Sequence, residues 1–388
     1  MDKISLLLNK IKSMFTEKGG TANRKKTVLV ILAALMTLVI IAVIGVFCYM
    51  NNLLGLVRRP ESGKHTISQE QVNEILGYDP NEVQFDFEDV PETSAVQEGP
   101  VSDGKTGKVL NVLLIGNSAR EGETSRLSDT IILCTLNRDT KNLTLSSFLR
   151  DTFVQLPSPY KGHTCGKQRM NVAYALGYQW GGEEGAMEYL DLTILNNFGV
   201  QVDFNVEIDF TAFVRALDLL GGIHVELDAQ EAKYLNKALE NDPDREYHFE
   251  AGRNWMDGWA GLAYARMRHS SAADNDFKRT NRQRIVIRKV VEKLRTKTLA
   301  EQNRFIREML PYVLTDMSNQ DIANFVLELL PMLDELKLET QQIPAEGTYT
   351  GKIVTISGVE SGVLVPDLEK NREILMAIAE CDRTDRED

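Results

Sequence analysis

Cysteine and histidine are scarce in this chain, with four and five among 388 residues. Four cysteines make no disulfide framework for an exported body of this size. Cys48 lies in a hydrophobic run and Cys134 in an apolar strand, where a buried thiol is the default; nothing in the sequence pairs Cys165 with Cys381. His65, His163, His224, His248 and His269 show no spacing of the HExxH kind, so no zinc site is read. Positive charge is in deficit, 44 Lys+Arg against 56 Asp+Glu, for a net charge of −12. That balance excludes a chain that adheres to polyanions over its whole surface. Internal repeats and a helix-turn-helix pattern are also missing. Gly99–Thr106 (GPVSDGKT) satisfies the P-loop spacing, but polar residues precede it and a strand, not a helix, follows, so it is read as no nucleotide site.

Long hydrophobic runs are limited to one. Thr27–Met50 carries no charged residue, and as a helix rising about 1.5 Å per residue it is long enough to cross a hydrocarbon core of about 30 Å. It is too long for a signal-peptide core and has no small-x-small cleavage site, and bulky Phe47 before Cys48 breaks a lipoprotein box. Arg24, Lys25 and Lys26 abut its start, with Lys3, Lys10, Lys12 and Lys18 upstream, against Arg58 and Arg59 beyond it. This predicts a cytoplasmic N-terminus and an exported body. Ile4, Leu7, Leu8, Ile11 and Phe15 follow helical spacing, which fits a helix lying on the inner membrane surface or a loosely ordered tail. The expected organisation is a basic cytoplasmic tail over 1–26 and a transmembrane helix over 27–50. An extracellular stalk over 51–107 follows, with one short helix near 68–76, then a folded domain over 108–380 and a polar tail over 381–388.

Within that domain, VLNVLLIG from Val109 reads as a buried central strand, and TIILCTLN and LTLSSFL around RDTKN as a hairpin. Helices are expected around 173–176, 185–196, 209–220, 281–299, 299–314 and 319–336, with a last one ending at Ala379. VDFNVEID, IHVEL and KIVTISG read as strands, with Gly221-Gly222 closing the helix before IHVEL. The mixture predicts a single α/β domain with a central mixed or antiparallel sheet flanked by helices.

Chemistry concentrates in two places. Leu262–Arg284 gathers Arg266, Arg268, Lys278, Arg279, Arg282 and Arg284; planar guanidinium forks suit phosphate and pyrophosphate, with a solvated basic face as the competing reading. Arg279, Arg282 and Gln283, at i, i+3 and i+4, are expected on one face of a first helical turn capped by Asp276, where free amides would add to an anion site. The second place is a set of strand ends: Gly116–Arg120, then RLSDT with Asp129, then FLRDT with Arg150 and Asp151, and Arg169, Asn171 and Tyr174 beyond. A capped turn and an exposed ion pair are the plain alternatives for these residues.

Taken in order, LLIGxxxR, RxSDT, SFLRDT, NVAYALG, VDFNVEIDF…LGG, MDGxxxLAYARMRH and DFKRTNRQR resemble the LytR–CpsA–Psr family of Gram-positive bacteria over about residues 108–300. The resemblance implies a transferase of cell-wall biogenesis that moves a glycopolymer, such as teichoic acid or capsule, from undecaprenyl pyrophosphate to peptidoglycan, forming a phosphodiester. Pyrophosphatase is a side activity within that reading. Membrane lipid is a further implied partner, and nucleic acid is not one. The resemblance also implies an apolar groove for the prenyl chain and a divalent cation, magnesium or manganese. By motif, Arg150, Arg266, Arg268, Arg279 and Gln283 match pyrophosphate-binding positions. Arg120 matches a further arginine, and Asp129 matches a metal-linked aspartate and candidate base. Arg282 joins the set through helical spacing. One departure stands out: Ser118 occupies the position of the second metal-linked aspartate, and a hydroxyl is a weaker magnesium ligand than a carboxylate. A non-catalytic binder of lipid-linked glycopolymer, acting as regulator or scaffold, is therefore the alternative reading.

Overall fold

A computed structural model of the chain describes residues 52–61, 107–117, 127–240, 242, 245–267, 272–332, 334–356 and 359–380. The expected anchor over 27–50, the N-terminal tail, most of the 51–107 stretch with its short helix and P-loop look-alike, Ser118, Arg120, Arg268, Cys381 and the tail over 381–388 lie outside the described residues. Among the described residues no helix is long and apolar enough to cross a membrane.

Residues 56–388 form one compact unit. It is built on a sheet whose first three strands are β1 (Val109–Asn117), β2 (Ser128–Asn137) and β3 (Asn142–Phe148). After two short strands, β4 (Phe153–Gln155) and β5 (Lys167–Arg169), comes α1 (Met170–Phe198). Then follow β6 (Phe204–Ile208), α2 (Phe210–Leu219), β7 (Ile223–Leu227), α3 (Ala229–Ala238), β8 (Gly252–Met256), α4 (Gly258–Arg266) and α5 (Ala272–Arg295). The chain closes with α6 (Leu299–Met309), β9 (Val313–Thr315), α7 (Asn319–Met332), β10 (Lys337–Ile343), β11 (Tyr349–Ile356), β12 (Val359–Pro366) and α8 (Leu368–Glu380).

The central sheet has six strands in the order β10-β3-β2-β1-β6-β9. β1 pairs antiparallel with β2 and parallel with β6, and β10 runs parallel to β3, so the sheet is mixed as the sequence predicts. Alternation along β1 decides what each face buries. Leu113 and Ile115 pack with Ile131, Leu133 and Phe148 under Tyr174, Leu176, Leu190 and Phe198 of α1 and Leu375 of α8. Leu110 and Val112 join Leu136, Phe204, Met317 and Leu336 on the other side, against Phe325 and Leu329 of α7. A second lobe has its own core, in which Leu217, Val225, Leu235, Met256, Tyr264 and Val286 join α2–α5 to the β7–β8 pair.

The two helices expected around 173–176 and 185–196 are one element, α1, broken at Gly181 and Gly182; Gly182 has φ 67°. The halves cross closely, since a Cβ on Gly177 would overlap the Gly185 carbonyl oxygen and lie 2.7 Å from Tyr189 Cβ. Gly177→Ala should therefore destabilise the domain by about 1–3 kcal/mol or more, the usual penalty for overpacking. Urea denaturation followed by circular dichroism measures it, and an unchanged midpoint would show that the crossing yields.

The chain joins the sheet earlier than the expected boundary at 108. The Arg58 N–H donates to the Val313 carbonyl at 3.1 Å, and the Thr315 N–H donates to the Arg58 carbonyl at 3.2 Å, so Arg58 pairs with edge strand β9. Arg58 Nη2 lies 3.4 Å from Glu183 Oε1, and the Glu61 N–H donates to Glu183 Oε2 at 3.3 Å.

Candidate functional site

A cleft of about 430 Å³ opens between the end of the central sheet and the second lobe. Asp129 and Thr130 line it from β2, Phe210 from α2, Tyr234 and Ala238 from α3, Trp259, Leu262, Ala263 and Arg266 from α4, and Arg279 and Gln283 from α5. The volume is that of a small-molecule site, and its chemistry is divided. Arg266, Arg279 and Gln283 share the lining with Asp129, while Phe210, Trp259 and Leu262 supply an apolar wall on which Trp259 is 51% exposed.

Local rules bring these side chains together. Asp209 caps α2, accepting from the Ala212 N–H at 2.7 Å, and so sets Phe210 at the end of β6. Asp257 caps α4 by accepting from the Ala260 N–H at 2.9 Å. From that start Trp259, Leu262, Ala263 and Arg266 fall at i, i+3, i+4 and i+7, a single helix face. Gly258 and Gly261 let α4 press onto α2, since a Cβ on either would meet Val214 or Leu217. Tyr234 and Ala238 on α3, and Arg279 and Gln283 on α5, repeat the i, i+4 spacing. Gly116 has a comparable use at the sheet end, where an added Cβ would lie 2.7 Å from Thr130 Cβ.

The polar end is organised around Asp129. Arg150 Nη1 donates to Asp129 Oδ1 at 3.4 Å, and Arg150 Nε lies 3.5 Å from Asp151 Oδ2. Arg279, 3% exposed, donates through Nη2 to the Asp129 carbonyl at 3.4 Å. The Arg266 guanidinium stands 4.3 Å from the centre of the Phe210 ring, at the junction of the polar and apolar parts. The strand-end and arginine-rich sets, far apart in sequence, thus meet at one place.

Other candidates fall elsewhere. Arg282 is buried away from the cleft, its Nε donating to Glu231 Oε1 at 2.8 Å. Arg284 Nη1 donates to the Gln341 carbonyl of β10 at 3.0 Å, and burial lowers its pKa below the usual guanidinium value, with Arg288 adding to the shift. Arg169 pairs with Asp151 at 3.8 Å, and Tyr174 donates to the buried Glu207, which also accepts from Asn117 Nδ2 at 3.0 Å. Contrary to the expected cap at Asp276, α5 starts at Ala272, so Asp276 is inside the helix and Arg279 is about two turns from its first amides. Two alanines at 272 and 273, among the better helix formers, carry the helix further back than a cap at Asp276 allows. Positive charge at the cleft therefore comes from side chains. Burial lifts the Cys134 thiol to about 12, consistent with an inert strand cysteine.

Asp129 is the one carboxylate among the described lining residues. No group of three or more His, Cys, Asp or Glu able to hold a metal occurs among the described residues. That donor set does not fit a closed protein cage. It does fit a hard cation held by one carboxylate together with phosphate oxygens and water.

The domain is thus a mixed α/β sheet whose cleft sets cationic side chains beside an apolar wall. The LytR_cpsA_psr family model matches residues 77–364, and the chain belongs to that family. It is 30% identical over 249 residues to the biofilm regulatory protein A of Streptococcus mutans, covering 62% of this chain and 58% of that protein. It is 29% identical over 236 residues to the polyisoprenyl-teichoic acid–peptidoglycan teichoic acid transferase TagU of Enterococcus faecalis, covering 60% of this chain and 70% of that one. The match to TagV of Bacillus subtilis, 30% identical, covers 48% of this chain and spans only 44% of that relative's length. Among solved structures, a Streptococcus agalactiae protein superposes with a TM-score of 0.57 at 23% identity, covering 72% of this chain and 91% of that one. A LytR-CPS2A-psr family protein, YwtF (TagT), with bound octaprenyl pyrophosphate superposes with a TM-score of 0.51 at 22% identity, covering 74% of this chain and 98% of that one. These structural likenesses support the fold.

Thr130, Phe210, Tyr234, Trp259, Leu262 and Ala263 line the cleft without having stood out in the sequence. The signal for the α4 members was the i, i+3, i+4, i+7 face that ends on Arg266.

Proposed function

We propose that this chain is a membrane-anchored phosphotransferase that moves a glycopolymer from an undecaprenyl-pyrophosphate carrier to peptidoglycan. The carrying observation is the division of one cleft into a polar end with Asp129, Arg266, Arg279 and Gln283 and an apolar wall with Phe210, Trp259 and Leu262. A prenyl pyrophosphate has the same two-part chemistry.

In the proposed step a hydroxyl oxygen of the acceptor attacks the sugar-linked phosphorus of the pyrophosphate. A phosphorus–oxygen bond forms, the bond to the bridging oxygen breaks, and prenyl monophosphate leaves. The product joins polymer and peptidoglycan through a phosphodiester. Arg279 and Arg266 bind the two phosphates and offset the charge that grows on the leaving phosphate. Arg150 orients the Asp129 carboxylate from 3.4 Å. Asp129 would hold a magnesium or manganese ion; free of the metal it is instead the acceptor for the hydroxyl proton, as the one carboxylate among the described lining residues. A bound divalent cation would supply charge neutralisation on the phosphate oxygens. Arg120, Arg268 and Ser118 belong to the same proposed site by motif. The uncharged run Thr27–Met50 and the basic residues before it support a single-pass anchor with the folded body outside the cell.

The test is to incubate the full chain in detergent with a prenyl-pyrophosphate-linked disaccharide, peptidoglycan and magnesium. Prenyl monophosphate and phosphodiester-linked product should appear together. Pyrophosphate cleavage without attachment to peptidoglycan would instead define a pyrophosphatase.

Ser118 supports a second reading, a binder of lipid-linked glycopolymer with no turnover, because the site then rests on one described carboxylate. Ser118→Asp separates the two. If it raises magnesium-dependent activity tenfold or more over the native chain, the scale on which a metal-site residue acts, the native site is a weak catalyst or none. Equal rates would place residue 118 outside the cation's reach and sustain the transferase reading.

A further inference from the structure

Arg282 sits between Arg279 and Gln283 on the turn that meets the cleft, yet its side chain is only 4% exposed and turns inward. Nε donates to Glu231 Oε1 at 2.8 Å, and Nη1 donates to the Met267 carbonyl at 3.2 Å. Its guanidinium lies 5.9 Å from the centre of the Tyr264 ring. Glu231 uses its second oxygen for a different purpose, since Oε2 accepts from the Asp228 N–H at 3.1 Å and closes the capping box that starts α3. Met267 is the C-cap of α4, the residue after Arg266.

One guanidinium therefore touches three of the four helices that line the cleft. α5 carries it three residues after Arg279 and one before Gln283; α4 gives it the carbonyl beside Arg266; α3 gives it the carboxylate one turn before Tyr234. The planar fork is suited to this because its donors leave in fixed directions, and a lysine would supply the charge without the second bond. A buried ion pair is not itself evidence of net stability. What this one fixes is spacing. Helix-to-helix distance here is also the distance between the cations that would meet the two phosphates and the wall that would meet the prenyl chain.

We propose that Arg282 is a positioning residue: through Glu231 and the Met267 carbonyl it sets the separation of α3, α4 and α5, and so the geometry of Arg266, Arg279 and Gln283, without touching the phosphates. This rests on the reading of the cleft as a prenyl-pyrophosphate site. It also separates Arg282 from its neighbours in the motif, since its charge is used inside the protein.

The experiment compares the full native chain in detergent with Glu231→Gln, Arg282→Gln, the double variant carrying both, and Arg279→Ala. Affinity for octaprenyl pyrophosphate is read by calorimetry, with circular dichroism confirming folded protein at a temperature well below each Tm. Glutamine at 231 keeps the capping bond, so Glu231→Gln isolates the link to Arg282. Because displacements near 1 Å at such a site are worth about 10²-fold, each single variant should bind roughly 10- to 100-fold more weakly. The double variant should be no worse than the poorer single, as expected for two members of one interaction.

Full affinity in Glu231→Gln beside a defective Arg282→Gln would overturn the proposal and make Arg282 a direct phosphate ligand. Lowered Tm with unchanged affinity in both would overturn it in favour of a purely structural pair. A native chain that does not bind octaprenyl pyrophosphate would sink the reading of the cleft and this proposal with it. Binding lost in Arg279→Ala but kept in both single variants would sink this proposal alone.

Discussion

Arg279→Ala should lower turnover by about 10³ to 10⁵, the range for a single well-aimed arginine in phosphoryl transfer, in a protein that still folds. Arg279 is 3% exposed, lines the cleft, and donates to the backbone of Asp129 at 3.4 Å. It joins the phosphate end of the cleft to the sheet that carries the candidate base. Its burial gives the effect its size: the charge acts where water screens it little. Arg279→Lys keeps the charge and loses the fork, so it should fall between native and alanine. Initial rates of prenyl monophosphate release measure both. Near-native turnover in a folded Arg279→Ala protein would remove the arginine cluster from the chemistry.

Asp129→Asn should act in two opposite directions. Turnover should fall by about 10² to 10⁴, the usual contribution of a positioned acid or base. Binding of octaprenyl pyrophosphate without added metal should hold or tighten, because an anion has been taken out of an anion site. Asparagine preserves the side-chain shape, so Arg150 keeps an oxygen to donate to in place of Asp129 Oδ1, now at 3.4 Å. Rates and calorimetric affinities together test it. If both fall in proportion, Asp129 is holding the pocket's shape and another group takes the proton.

Parts of this site were plain in the sequence for a physical reason. β1 is a nearly unbroken apolar run because both of its faces are covered, and β2 and β3 are two strands rich in apolar residues joined by the charged turn Arg138–Lys141. From those strands the meeting of Asp129 and Arg150 follows by pairing. α3 was missed because AQEAKYLNKA is mostly polar and buries only Ala232 and Leu235. β9 was missed because three residues carry no period, and β10 because KLETQQI is half-covered and polar. Arg282 was misdirected by a limit of spacing itself. On a helix it stands about 100° from Gln283, and residue distance along the chain does not say whether that sector meets solvent or Glu231. The family resemblance, in turn, located the arginines without the apolar wall, since a wall of Phe210, Tyr234 and Trp259 comes from three separate elements.

The bridge from Arg58 to β9 changes what the stretch after it can do. Residues 58–61 are fastened to β9 and Glu183, and residue 109 begins β1 in the same sheet. The residues on either side of 62–106, Arg58–Glu61 and Val109, are thus fastened to one sheet. A pull on the chain just before Arg58 would arrive first at the sheet edge, as shear on its two backbone hydrogen bonds to β9.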